Sequence, residues 1–175
     1  IYYQPPTDSY VEKRPTVRVG LVQWQMRPYK DIDDLFEQVE FFVDSVSDYK
    51  SDFVLFPEYF NAPLMSKFND MGEAQSIRGL AQYTEKIRDR FVELAISYNI
   101  NIITGSMPYV KEDGGLYNVG FLCRRDGSVD MYEKIHVTPD EQKSWGLSKG
   151  NRVQTFDTDC GRIGVLICYD VEFPE

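Results

Sequence analysis

The apolar positions of this chain follow two periods, and the period switches from segment to segment. VRVGLVQWQ (17–25) alternates, with Val17, Val19 and Leu21 on one face, and predicts a strand. Asp31 can cap a helix in which Ile32, Leu35, Phe36, Val39, Phe42, Val43 and Val46 recur at helical spacing. DFVLF (52–56) is a short apolar run that ends at Pro57, the pattern of a buried strand. Thr84 can cap a second helix carrying Ile87, Phe91, Leu94, Ala95 and Tyr98 on one stripe. Asn99 suits its C-terminal end, and INIITGS (100–106) predicts the next strand. LYNVGFLCRR (116–125), a turn at Asp126-Gly127 and SVDMYEK (128–134) form a hairpin. QTFDT (154–158) and GRIGVLIC (161–168) flank a further turn at Asp159–Gly161. Strands interleaved with amphipathic helices, together with hairpins, predict an α/β layered domain on a mixed sheet.

Residues 1–16 follow neither period. They hold Pro5, Pro6 and Pro15 among mixed charges and read as an extended arm or interdomain linker, leaving 17–175 as the domain. Ile1 is not an initiator methionine, so the chain is expected to begin inside a longer gene product or after processing. There is no internal repeat.

Composition narrows the function classes. Apolar residues make up 42% of 175 residues and there are 12 glycines, the balance of a soluble globular domain. No apolar run is long enough to span a bilayer, and the opening IYYQPPTDSY lacks the parts of a signal peptide, so no membrane partner is expected. A net charge of −9 argues against nonspecific nucleic-acid binding. One histidine, His136, and three cysteines argue against a Cys/His zinc site, and against a serine–histidine–aspartate hydrolase unless His136 is its base. An odd cysteine count without CxxC reads as reduced thiols in a cytoplasmic protein. Neither a metal nor another cofactor is expected.

Three residues stand where α/β sheets carry chemistry. Cys168 follows an apolar strand pattern and precedes polar Tyr169-Asp170; a cysteine there serves as a nucleophile once activated, although position alone favours a buried core thiol. Glu58 ends FVLFPE, where loss of hydration would suit it to general-base work, and position alone favours a surface loop glutamate. Lys134 ends the hairpin strand, where a solvated lysine is the simpler reading.

Taken together and in order, FPEYF around Glu58, YEKIH around Lys134 and ICYDVEFPE around Cys168 resemble the carbon–nitrogen hydrolase (nitrilase-like) superfamily. The VRVGLVQ opening, the asparagine in LYNVGF and the turn before the lysine strand extend the resemblance from about Val17 to Glu175. It implies an αββα sandwich, here apparently cut just after its nucleophile, and a cysteine amidohydrolase. By that resemblance Cys168 attacks the carbonyl or nitrile carbon, Glu58 is the general base and Lys134 stabilises the tetrahedral intermediate, with the Tyr169 N–H as a second oxyanion donor. Glu141 matches a further family glutamate that orients the base or relays protons, and it reads equally as a helix-start carboxylate after Thr138-Pro139. His136 is expected to support the site, and Cys123 and Cys160 to be bystanders.

Tyr169-Asp170, in place of tryptophan-glutamate, resembles the amidase branch. Glu172 occupies a position where many such members carry arginine. Facing the pocket, it would favour a neutral or cationic amide; otherwise it would make a structural salt bridge. Tyr59, Tyr169 and Glu172 are the expected substrate-binding residues. PPTDSYV…VRVGLVQWQMRP also resembles a subgroup fused behind an N-acetyltransferase domain. The implied partners are a small-molecule amide or nitrile and a second copy of the chain in a homo-oligomer, dimer or larger. Nitrile hydrolysis, a non-catalytic interaction domain on the same scaffold and a metal-dependent phosphodiesterase are the competing readings. Because Cys168 lies seven residues from the end, an isolated 1–175 piece is expected to be poorly folded and inactive.

Overall fold

The computed structural model describes residues 16–174. The arm expected over residues 1–16 lies outside them, Thr16 apart.

Alternation in the strands sends successive side chains to opposite faces of one mixed six-stranded sheet. Strands β1 (Val19–Leu21), β2 (Phe53–Leu55) and β3 (Asn101–Ile103) run parallel, with Val19 opposite Phe53 and Phe53 opposite Asn101. β3 and β4 (Met107–Val110) share one edge of β5 (Leu116–Cys123), and β6 (Val129–Glu133) takes its other edge; all three pairings are antiparallel. The predicted hairpin is therefore present as β5–β6, closed by Asp126, whose carboxylate accepts from the Ser128 N–H.

One face of the sheet is covered by helices. α1 (Ile32–Asp48) starts at Asp31, whose side chain accepts from the N–H groups of Asp33 and Asp34, and buries Ile32, Leu35, Val39 and Val43. α3 (Thr84–Ser97) buries Ile87, Phe91 and Leu94. Its cap falls one residue earlier than expected, at Tyr83; the Thr84 hydroxyl instead donates to the Pro108 carbonyl at 2.6 Å and ties the helix to β4. Asn99 adopts φ +50° just beyond the helix, a conformation asparagine tolerates.

Between β2 and α3 the structure adds two elements that periodicity did not reveal, a 3-10 turn (Ala62–Phe68) and α2 (Glu73–Ala81). This stretch carries Pro63, Gly72 and Gly79, and its helix is short, so its intrinsic signal is weak. It forms because Leu64, Ile77 and Leu80 are withdrawn from water into the main core. The 100–106 strand is shorter than predicted: β3 ends at Ile103, and β4 starts only at Met107. Gly105, at φ +72°, breaks it where a Cβ would lie 2.1 Å from the Pro57 carbonyl oxygen.

The opposite face carries a two-stranded sheet, β7 (Thr155–Thr158) with β8 (Gly161–Gly164), over Phe53, Ile103, Leu122 and Tyr132. The layers thus run α, β, β, in the order of an αββα sandwich. β8 is shorter than the predicted GRIGVLIC strand. Val165–Ile167 continue without a ladder partner among the described residues, and Cys168 opens a 3-10 turn (Cys168–Glu172). No described helix is long and apolar enough to cross a membrane.

Candidate active site

The break at Gly105 is what presents Glu58. It lets Ser106 swing beside the end of β2, where Ser106 bridges to Glu58 and its carbonyl accepts from the Tyr59 N–H at 2.8 Å. Tyr59 then turns the chain at φ +53°, unusual for a residue with a side chain. Lys134 leaves the end of β6, its N–H donating to the Asn118 carbonyl at 2.9 Å. Glu141 sits on the first turn of α4 (Pro139–Ser144) in a capping box: its carboxylate accepts from the Thr138 N–H and its own N–H donates to the Thr138 hydroxyl.

These carboxylates converge on one ammonium. Lys134 Nζ donates to Glu58 Oε1 at 2.8 Å and lies 2.8 and 2.9 Å from the two Glu141 oxygens. Lys134 is 1% exposed. Burial works against its charge, but the hydrogen bonds and charges of Glu141 and Glu58 outweigh that and push its pKa above the ordinary lysine value. Asn118, fully buried in β5, donates through Nδ2 to Glu58 Oε1 at 2.8 Å. The Tyr59 hydroxyl reaches Glu141 Oε1 at 3.3 Å, and burial with these carboxylates holds its pKa far up, so it stays protonated and donates to Glu141. Its ring stands edge-on to Trp145 at 5.5 Å.

Cys168 approaches from the other layer, exposed and at φ +47°. Burial of the sulfur raises its pKa, Glu58 raises it further by hydrogen bonding and charge, and Lys134 and the Tyr169 N–H pull the other way. The balance is a protonated thiol beside a carboxylate, not a preformed thiolate. A cavity of about 200 Å³ opens here, lined by Glu58, Ser106 and Cys168 with apolar walls that include Leu55, Phe56 and Ile167. A base, a cation and a thiol in one place can transfer a proton, bear a developing negative charge and form a covalent bond.

The carbon-nitrogen hydrolase family model matches residues 18–175. This chain belongs to that family. A probable hydrolase, YhcX, of Bacillus subtilis is 42% identical over 99% of this chain, which covers 34% of that protein. Omega-amidase NIT2 of Homo sapiens is 32% identical over 90% of this chain and 56% of that protein. The chain thus spans between a third and just over half the length of these curated relatives. Among solved structures, an amidase from Nesterenkonia sp. superposes with a TM-score of 0.73 at 22% identity, over 90% of this chain and 57% of that one. Nit3 of Saccharomyces cerevisiae, a nitrilase-superfamily member, superposes at 0.68 with 25% identity over the same shares.

Of the residues expected to serve this carbon–nitrogen hydrolase, Glu58, Lys134 and Glu141 form one hydrogen-bonded cluster and Cys168 faces it. Glu141 caps α4 and binds Lys134 at once. Tyr59 touches Glu141 and Trp145. Tyr169 brings its N–H to Cys168 while its ring stands edge-on to Phe173 at 5.1 Å. Glu172 is exposed, does not line the cavity and makes no ion pair with another described residue. Cys123 is buried, its thiol pushed up to about 12 by desolvation, and Cys160 lies in the β7–β8 turn with its thiol at about 11 by desolvation and Asp159. Sequence reasoning missed the contact of Asn118 with Glu58. Its signal was an amide inside an apolar strand, since a fully buried asparagine needs a partner.

Proposed function

We propose that this chain carries the reacting groups of an amidase that hydrolyses a small-molecule C–N bond outside peptides through a cysteine thioester. Glu58 takes the Cys168 proton as the sulfur attacks the amide carbon. The oxyanion forms within reach of Lys134 and the Tyr169 N–H. The C–N bond then breaks, Glu58 returns the proton to the departing nitrogen, and a thioester remains. Water next attacks the thioester carbon, giving a proton to Glu58; the C–S bond breaks, and the thiol is regenerated with release of the acid. Glu141, held by Thr138 and Tyr59, keeps Lys134 charged and aimed.

The observation that carries this reading is the single ammonium shared by Glu58 and Glu141, with Glu58 and the Cys168 thiol lining one cavity. A raised thiol pKa requires a base at the moment of attack, and Glu58 is the carboxylate in place. Tyr169-Asp170 after the nucleophile, and relatives named as amidases, favour an amide over a nitrile. The resemblance of its opening supports the subgroup fused behind an N-acetyltransferase domain, its odd cysteine count without CxxC supports the cytoplasm, and the family resemblance supports a homo-oligomer, dimer or larger.

The test is intact-mass detection of an acyl adduct on Cys168 across an amide library, with a nitrile panel scored in parallel by ammonia release. Cys168→Ala is expected to abolish both adduct and turnover. Full activity in that variant would remove the reading, and faster turnover of nitriles would redirect it.

A further inference from the structure

The cysteine and the lysine come from different layers, so something must set the distance between them. Asp170, two residues after Cys168 and 4% exposed, reaches across that boundary. Its Oδ1 accepts from the Ile135 N–H at 3.1 Å and the His136 N–H at 2.7 Å, the two residues that follow Lys134. His136 Nδ1 stands 3.1 Å from the same oxygen, which selects the tautomer with the proton on Nδ1. Oδ2 accepts from the Ile167 N–H at 3.1 Å, closing the carboxylate onto its own turn. The His136 ring stacks on Phe173 at 3.8 Å with 8° between planes, a second tie between the same two segments.

We propose that Asp170 is a positioning residue that holds the Cys168 turn at a fixed register against the Lys134 segment. The proposal rests on the amidase reading above. The chain between the two segments is long, with 34 residues separating Asp170 from His136. Val165–Ile167 lack a ladder partner among the described residues, so strand pairing does not do the work. Four N–H groups on one carboxylate do. A side chain that satisfies the backbone on both sides converts two independent segments into one rigid unit, and near-attack geometry depends on that rigidity. Asp170 touches neither Glu58 nor Lys134 nor the thiol, and acts through the backbones that carry them.

The test compares Asp170→Asn, His136→Ala and Cys168→Ala with the parent in the full-length protein, using whichever amide gives the Cys168 adduct. Asp170→Asn places an NH2 group against converging donors. It is expected to lower kcat by about 10–100-fold with KM changed less than about threefold, while the thermal transition stays cooperative. His136→Ala removes the ring contacts and leaves the backbone donors, so a smaller fall of about 2–10-fold in kcat is expected, again with KM held. That second variant decides the matter should Asp170→Asn fail to fold. Parental kcat in either folded variant, or a loss carried by KM, overturns the positioning role while leaving the amidase reading intact. Turnover that survives Cys168→Ala overturns both.

Discussion

Among the described residues, the two faces of the sheet are covered differently. On the helix face Leu35, Val39, Val43, Leu80, Phe91 and Leu94 are essentially out of water and join one continuous core. On the β7–β8 face the buried cluster is small, and apolar side chains stay exposed: Val19 at 49%, Leu21 at 73% and Leu166 at 58%. Glu58, Lys134 and Glu141 are anchored in the first region, and Cys168 enters from the second. Among the described residues, the site is thus assembled across a boundary between a layer on a large apolar core and one joined to the sheet by a small apolar cluster and several polar ties. Those ties are specific. Asn101 donates to Asp159 at 2.9 Å, Arg125 pairs with Asp159 at 3.2 Å and donates to the Asp52 carbonyl at 3.2 Å, and Arg124 donates to the Asp157 carbonyl at 2.8 Å.

The heaviest blow to the packed region is Lys134→Ala, which leaves the buried Glu141 and the half-buried Glu58 without their shared cation. It is expected to cost about 3–5 kcal/mol in urea melts and to lower turnover by at least roughly 10²–10³-fold. A stable variant with near-normal turnover would mean that the ammonium is not the centre of the cluster. Next, Phe91→Ala and Phe156→Ala compare the two faces directly. The first should cost about 3–5 kcal/mol, and the second roughly half as much because its surroundings are thinner and can relax. Equal losses would erase the distinction.

Arg125→Gln addresses the polar ties. It should cost only about 1–2 kcal/mol, and hydrogen exchange should quicken at Phe156–Thr158 while β5 amides keep their protection. Uniform exchange across both layers would count against separate modes of attachment. The mildest probe leaves the fold alone. With the Cys168 thiol raised above its ordinary value, the thiolate fraction is small at pH 7 and still growing at pH 9. Alkylation of Cys168 should therefore keep rising from pH 7 to pH 9. At each pH it should exceed that of Cys160, and Cys123 should react last. A plateau near neutral pH would reveal a preformed thiolate and weaken the case for Glu58 as base.

Much of the fold was legible because local signals agreed with it. Asp31 and the stripe from Ile32 to Val43 predicted α1 with its cap, and the turn at Asp126-Gly127 predicted β5–β6. The 62–81 region was not legible, since its helix depends on burying Leu64, Ile77 and Leu80 against the rest of the chain. Neither was the break at Gly105, where the deciding contact is the Pro57 carbonyl, nearly fifty residues away in sequence. In the site, the motifs around Glu58, Lys134 and Cys168 named the chemistry through resemblance. They could not foretell that Glu141 caps a helix and binds the lysine at once, or that Glu172 stays in solvent.

The sequence by itself determined most of the strands and helices, which follow from spacing along a few turns, and its motifs marked the candidate reacting residues through resemblance. Only the tertiary structure decided how far apart the reacting groups stand and what charge each holds. Those depend on contacts made across the fold: Gly105 against Pro57, Asn118 against Glu58, Asp170 against His136. A pattern along the chain contains no such distance, and the proposed chemistry depends on it.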